Sequence, residues 1–113
     1  MVTFDYFREV SLSFPEVTEE PHFEKVSFRV RKKIFATYDA AENRASMKLS
    51  EMDQDIFSKA DKAAIYPVQN KWGKQGWTLV ELKKVKKKLF QQALLTAYCA
   101  VAPPKLVEQL HGE

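Results

Sequence analysis

The sequence predicts one α+β domain, an antiparallel sheet of four or five strands with the N- and C-terminal helices packed on one of its faces. The chain has 113 residues, of which 45% are hydrophobic, enough for a single core, so we expect one domain over residues 1–113. Apolar residues recur at helical spacing near both ends of the chain, whereas they alternate with polar residues in its middle. The terminal helices are therefore expected to cover a central sheet.

The first helix is predicted over residues 3–13. Thr3 is a good N-cap, and apolar side chains follow it at helical spacing. The helix should end at Phe14-Pro15, because a residue that precedes proline is pushed out of the helical region. The acidic segment of residues 15–22 is then interpreted as a connecting loop.

Residues 23–49 alternate between apolar and polar side chains and predict a three-stranded antiparallel meander. Four basic residues fall at or near the tip of its first hairpin: Arg29, Arg31, Lys32 and Lys33. Ser50 is a typical N-cap for a short helix over residues 51–60, which has three acids near its N-terminus.

The second half of the chain predicts one or two further strands and a long helix. Residues 63–68 suggest a brief edge strand, and residues 70–76 a glycine-bearing loop. A strand over 77–82 should follow, with Trp77 favoured for the core. The long amphipathic helix is expected to begin with Lys83 and to stop at Pro103-Pro104.

Charge is unevenly distributed along the chain. The formal net charge is only +3, yet residues 1–28 carry −4 and residues 71–105 carry +7. A folded domain with this polarity could present a positive face, as nucleic-acid-binding proteins do. The alternative is that the lysines are solvated and only keep the protein soluble.

Two segments add to the basic hairpin as candidate nucleic-acid contacts. Lys71, Trp72 and Lys74 combine an indole with cations in the glycine-bearing loop, a pairing that stacks bases and holds phosphates but that also buries tryptophan in cores. The start of the long helix is rich in lysine, which is unfavourable near the positive end of a helix dipole, so local stability does not explain it. The candidate residues there are Lys84, Lys87 and Lys88.

No enzyme, metal or cofactor chemistry is indicated by the residue types. Cys99 is the single cysteine and there are two histidines, so no nucleophilic triad or cysteine-based zinc site can be argued. The three glycines cannot form a phosphate-binding signature, and the carboxylates of residues 16–24 lack the spacing of a dedicated metal loop. No membrane span or secretion signal is expected, and the cytoplasm fits best.

Four segments together resemble the MmcQ/YjbR family: Ser13–Glu20, Phe28–Ala36, Tyr66–Thr78 and Ala97–Pro103. The resemblance extends over nearly the whole chain. It implies an α+β fold similar to bacterial frataxin, the CyaY-like fold, and a proposed double-wing mode of DNA binding. The two wings would then be the turn at residues 29–33 and the loop at residues 70–76.

The leading functional hypothesis is therefore weak or sequence-nonspecific binding of duplex DNA by a monomer. The alternative is a module that binds a protein or small ligand in a cleft between the sheet and the C-terminal helix. The residues expected to line that cleft are Tyr38, Met47, Trp72 and Tyr98. A frataxin-like role with iron matches poorly, because the first helix carries only Asp5 and Glu9 as acids.

Overall fold

The computed structural model describes residues 1–111, without the side chain of His111, so residues 112–113 of the predicted domain lie outside it. The elements in chain order are α1 (Phe4–Ser13), β1 (Val17–His22), β2 (Lys25–Val30), β3 (Lys33–Asp39), β4 (Arg44–Lys48), α2 (Glu51–Ala60), β5 (Ile65–Pro67), α3 (Lys71–Lys74), β6 (Trp77–Glu81), α4 (Lys87–Val101) and α5 (Pro104–His111). No helix among these is long and apolar enough to cross a membrane.

The strands form one antiparallel sheet in the order β1-β2-β3-β4-β6-β5. Helices α1 and α4 lie on one face, where Phe7 of α1 contacts Phe28 of β2 and Phe90 of α4 at ring-centroid distances of 5.0 and 5.2 Å. All three rings are fully buried. The predicted α+β class, with terminal helices on one sheet face, is confirmed.

The sheet has six strands because residues 17–22, expected to be a loop, form β1. Val17 pairs with Val30, and the register continues to His22 opposite Lys25. Pro21 is tolerated because β1 is an edge strand, where a missing N–H need not face a neighbour. On the helix side, the Glu19 carboxylate accepts a hydrogen bond of 2.6 Å from Arg8 Nε of α1. The two glutamates and Pro21 of this segment obscure its alternation.

The long C-terminal helix begins at Lys87 rather than at Lys83. Lys83 and Lys84 lie in a turn after β6, where the backbone N–H groups of Lys84 and Val85 both donate to the Glu81 carbonyl. Lys86 occupies the N-cap without a side-chain capping bond. Lys83 and Lys84 therefore lie outside the helix, whereas Lys86, Lys87 and Lys88 remain at its N-terminus, where the dipole disfavours positive charge.

The cleft expected between the sheet and the C-terminal helix is filled with side chains. Met47 and Tyr98 are fully buried in the core, and Tyr38 stacks on Phe4 of α1 at 4.4 Å between ring centroids. Trp72 lies on the other side of the sheet. Trp77, which was expected in the core, also lies on that side and is only partly buried. The pleat of β6 directs Thr78 and Val80, rather than Trp77, toward the core.

Candidate nucleic-acid interface

The β2–β3 connection is a tight turn made by Arg31 and Lys32. Both residues have positive φ angles, 51° and 69°, as the two central residues of a type I′ turn require. Such turns usually contain Asn or Gly, because the left-handed conformation is unfavourable for other residues. The turn projects a basic tip beyond the end of the sheet.

The two arginines of this hairpin are already engaged by the protein itself. Arg31 forms a bidentate pair with Glu16, with Nε and Nη2 distances of 2.6 and 3.1 Å. The hydrogen bond from Arg31 lowers the pKa of the Glu16 carboxyl below its ordinary value. Arg29 Nε donates to the Ser27 hydroxyl at 3.0 Å. Lys32 and Lys33 are exposed and form no ion pair with any carboxylate in the described chain.

The second basic segment is not a loop but contains the short helix α3. The Asn70 side chain caps this helix by accepting from the Trp72 backbone N–H at 2.9 Å. A Cβ at Gly73 would lie 1.9 Å from the Val68 carbonyl oxygen, so only glycine permits this contact. Gly76 follows with a φ of 103°, a conformation that favours glycine. The two glycines thus hold α3 close against the sheet.

Exposed side chains project from α3 into solvent. Trp72 retains 48% exposure, and the Lys71 ammonium lies 5.5 Å from the centre of its indole ring. Lys71 and Lys74 are exposed and, like Lys32 and Lys33, form no ion pair among residues 1–111. The segment therefore presents an aromatic ring together with two free cations.

Gln54 of α2 fixes α3 in place, and sequence analysis did not identify it. Its buried side-chain amide donates to the Gly73 carbonyl at 2.9 Å, to the Trp77 carbonyl at 3.1 Å and to the Thr78 hydroxyl at 3.1 Å. The only signal in the sequence is a glutamine in an otherwise acidic first part of a helix, which is too common to be informative. Gln54 joins α2, α3 and β6 through one side chain.

The sheet topology brings the two wings to the same end of the sheet, here called the near end. The β2–β3 turn leads into β3, and α3 leads into β6, whose first residue Trp77 pairs with Lys48 at the end of β4. Strands β3 and β6 are two positions apart in the sheet, a separation of about 10 Å. The near end therefore carries the four exposed lysines of the two wings: Lys32, Lys33, Lys71 and Lys74.

The lysines around the start of α4 lie at the opposite, far end. Strand β6 runs away from α3 for five residues, about 17 Å, before Lys83 and Lys84 follow it. The Lys87 ammonium lies 4.3 Å from the centre of the Tyr6 ring of α1, on the helix-covered side. Lys84, Lys87 and Lys88 thus form a second basic region, separate from the wings.

The acidic residues around β1 do not converge. The pleat directs Glu19 toward α1 and leaves Glu20 and His22 on the other side, while Glu16 is held by Arg31. Among the residues that the structure describes, no group of three or more His, Cys, Asp or Glu side chains is placed to hold a metal ion.

The geometry defines an α+β protein whose sheet is covered by helices on one face and bordered at one end by the basic β2–β3 turn and by α3. Residues 12–100 match the family model YjbR, and the chain belongs to the YjbR family. A similar solved structure is the crystal structure of the Deinococcus radiodurans protein DR2400, described as a DUF419 domain. It is 25% identical, with a TM-score of 0.76, over 88% of this chain and 78% of that one. No curated protein matches the sequence.

Proposed function

We propose that this protein binds duplex DNA weakly and without sequence specificity through its near end. The observation that supports this most is that four exposed lysines, Lys32, Lys33, Lys71 and Lys74, lie on the β2–β3 turn and on α3 at the same end of the sheet and form no ion pair within residues 1–111; the strands that follow these two segments, β3 and β6, are about 10 Å apart. Lysines spaced in this way suit the regularly spaced phosphates of a duplex. In this proposal the chain is a cytoplasmic, monomeric binding protein that acts without a cofactor and is not an enzyme.

The internal contacts of the arginines set the expected strength of binding. Arg29 and Arg31 must give up hydrogen bonds before they contact phosphates, so we count only the four lysines as primary contacts. Each phosphate contact contributes about −0.9 to the log–log dependence of affinity on salt concentration, which gives a slope of about −3.6. Trp72, beside Lys71, is positioned to wedge or stack at the margin of such a contact.

The far-end lysines contribute to the long-range field rather than to contacts. Lys84, Lys87 and Lys88 are separated from the wings by the length of β6, about 17 Å, which exceeds the Debye length of about 8 Å at physiological salt. Their effect on DNA affinity should therefore be visible only at low ionic strength.

Fluorescence anisotropy of a labelled duplex at several salt concentrations tests the proposal. We expect measurable binding at low salt, a slope of about −3.6, and strong weakening in the double variant Lys32→Glu/Lys71→Glu. The matched control is Lys84→Glu/Lys88→Glu, which changes the net charge equally at the far end and should affect binding far less. The proposal is wrong if no binding occurs at low salt, or if both double variants weaken binding equally.

A further inference from the structure

The sheet face opposite α1 and α4, here called the open face, forms a shallow groove of about 420 Å³. Its floor is low because the central strands carry small polar side chains: the hydroxyls of Thr37 and Ser46 are hydrogen-bonded across β3 and β4 at 2.5 Å. Trp72, Trp77 and Leu79 line one side of the groove. His22 and Lys25 line the opposite side.

The groove combines exposed aromatic surface with positive charge. The half-exposed indole of Trp72 borders it, and Lys25 and Arg44 both line it. The Glu81 carboxylate, which pairs with Arg44 in the register, also accepts a hydrogen bond from the Tyr66 hydroxyl, and this bond raises the pKa of Tyr66. Glu81 does not itself line the groove, whose charged lining residues are Lys25 and Arg44, so the groove is suited to an anion.

A face that only meets water would be expected to carry polar side chains across its whole width. Here Trp77 and Leu79 instead give the groove an apolar side next to its cations. Nucleic acids offer both matching features, flat apolar bases and anionic phosphates. In a duplex the bases are stacked on each other, so an indole reaches a base face only by unstacking it, whereas an unpaired strand presents its base faces directly.

We infer that the groove of the open face binds single-stranded nucleic acid. A base stacks on the Trp72 indole, and Lys25 and Arg44 contact the phosphates of the strand. From β1 to β6 the groove crosses four strand intervals, about 19 Å, which is enough for a short stretch of extended strand. The inference rests on the proposed nucleic-acid function and adds a substrate class and a surface that the wings do not supply.

Titration of labelled oligothymidylate and oligouridylate, followed by anisotropy, tests this inference. Trp72→Ala should weaken binding roughly 5- to 150-fold, the usual effect of removing one stacking partner, whereas Trp72→Phe should retain most of the affinity. Lys25→Ala should make the log–log salt slope shallower by about 0.7, the value for one phosphate contact of a single strand. Lys62→Ala removes an equal charge away from the groove and should change nothing.

The outcomes separate this inference from the proposed function. Single-strand binding that depends on Trp72 and Lys25 supports the inference, even if no duplex is bound. If the Lys32→Glu/Lys71→Glu variant loses duplex binding while Trp72→Ala leaves single-strand binding unchanged, the wings bind DNA and the groove inference is wrong. An absence of single-strand binding at low salt also overturns it. Comparison of the two oligomers identifies DNA or RNA as the preferred strand.

Discussion

Replacement of Glu16 by Gln should increase the affinity of this protein for duplex DNA. Glu16 holds the Arg31 guanidinium in a bidentate pair at the tip of the β2–β3 turn. The substitution removes the negative charge, so Arg31 becomes available to phosphates. The pair is solvent-exposed, with side-chain exposures of 53% for Arg31 and 49% for Glu16, so its loss should hardly change the stability of the fold.

The size of the effect follows from the number of contacts. With four lysines as primary contacts, the salt slope is expected to be about −3.6, and a fifth contact from Arg31 should make it about −4.5. The affinity gain should be largest at low salt, because each added contact releases one more condensed counterion from the DNA.

The assay is duplex anisotropy across a salt series, with Glu19→Gln as the matched variant. Glu19→Gln also removes one negative charge and also frees an arginine, but Arg8 lies on the helix side of β1. We expect the slope to steepen for Glu16→Gln and to remain at the wild-type value for Glu19→Gln. Equal slopes in all three proteins would refute the view that Arg31 is held in reserve at a DNA-binding turn.

Three further predictions concern stability and reactivity. Gln54→Ala should lower the free energy of unfolding by about 1–3 kcal/mol in urea titrations, because two buried acceptors, the Gly73 carbonyl and the Thr78 hydroxyl, lose a donor; an unchanged midpoint would contradict the role of Gln54 in holding α3. Lys32→Gly should raise that free energy by up to about 1 kcal/mol, since glycine accepts the φ of 69° without strain, and a decrease would count against the turn geometry. Burial raises the pKa of the Cys99 thiol, so less of the reactive thiolate is present at neutral pH. Iodoacetamide should therefore alkylate Cys99 more slowly than it alkylates free glutathione, and the rate should rise at higher pH. Alkylation faster than that of glutathione would show that the thiol is exposed.

The fold could be predicted from the sequence wherever local patterns agreed with the tertiary contacts. Thr3 caps α1 by accepting from the Tyr6 N–H at 3.1 Å, and Ser50 caps α2 by accepting from the Asp53 N–H at 3.1 Å, as their positions indicated. The alternating meander was equally clear. Residues 17–22 have a poor intrinsic preference for a strand, so the sequence did not indicate β1. Pairing with β2 and the contact of Glu19 with Arg8 outweigh that preference, and no local pattern contains such tertiary contacts.

The candidate interface was only partly accessible from sequence. The basic character of the two wings could be read directly from Lys32 and Lys71, but their placement at one end of the sheet depends on the strand order. Ion pairs also decide which basic side chains are available to a ligand. Glu16 pairs with Arg31 although the two residues are 15 positions apart in the sequence, so no local pattern indicates the pair. The open face was missed because the pleat, rather than hydrophobicity, decides that Trp77 points away from the core.

The two edges of the sheet have a consequence for how the molecule behaves at high concentration. One edge is β1, with two adjacent glutamates and Pro21, and the other is β5, which has only three residues and ends at Pro67. Carboxylates and prolines at such borders hinder the addition of a strand from another copy. Crowded solutions should therefore remain free of fibrillar or ribbon-like assemblies, because neither border of the sheet offers a free edge for a second copy to extend.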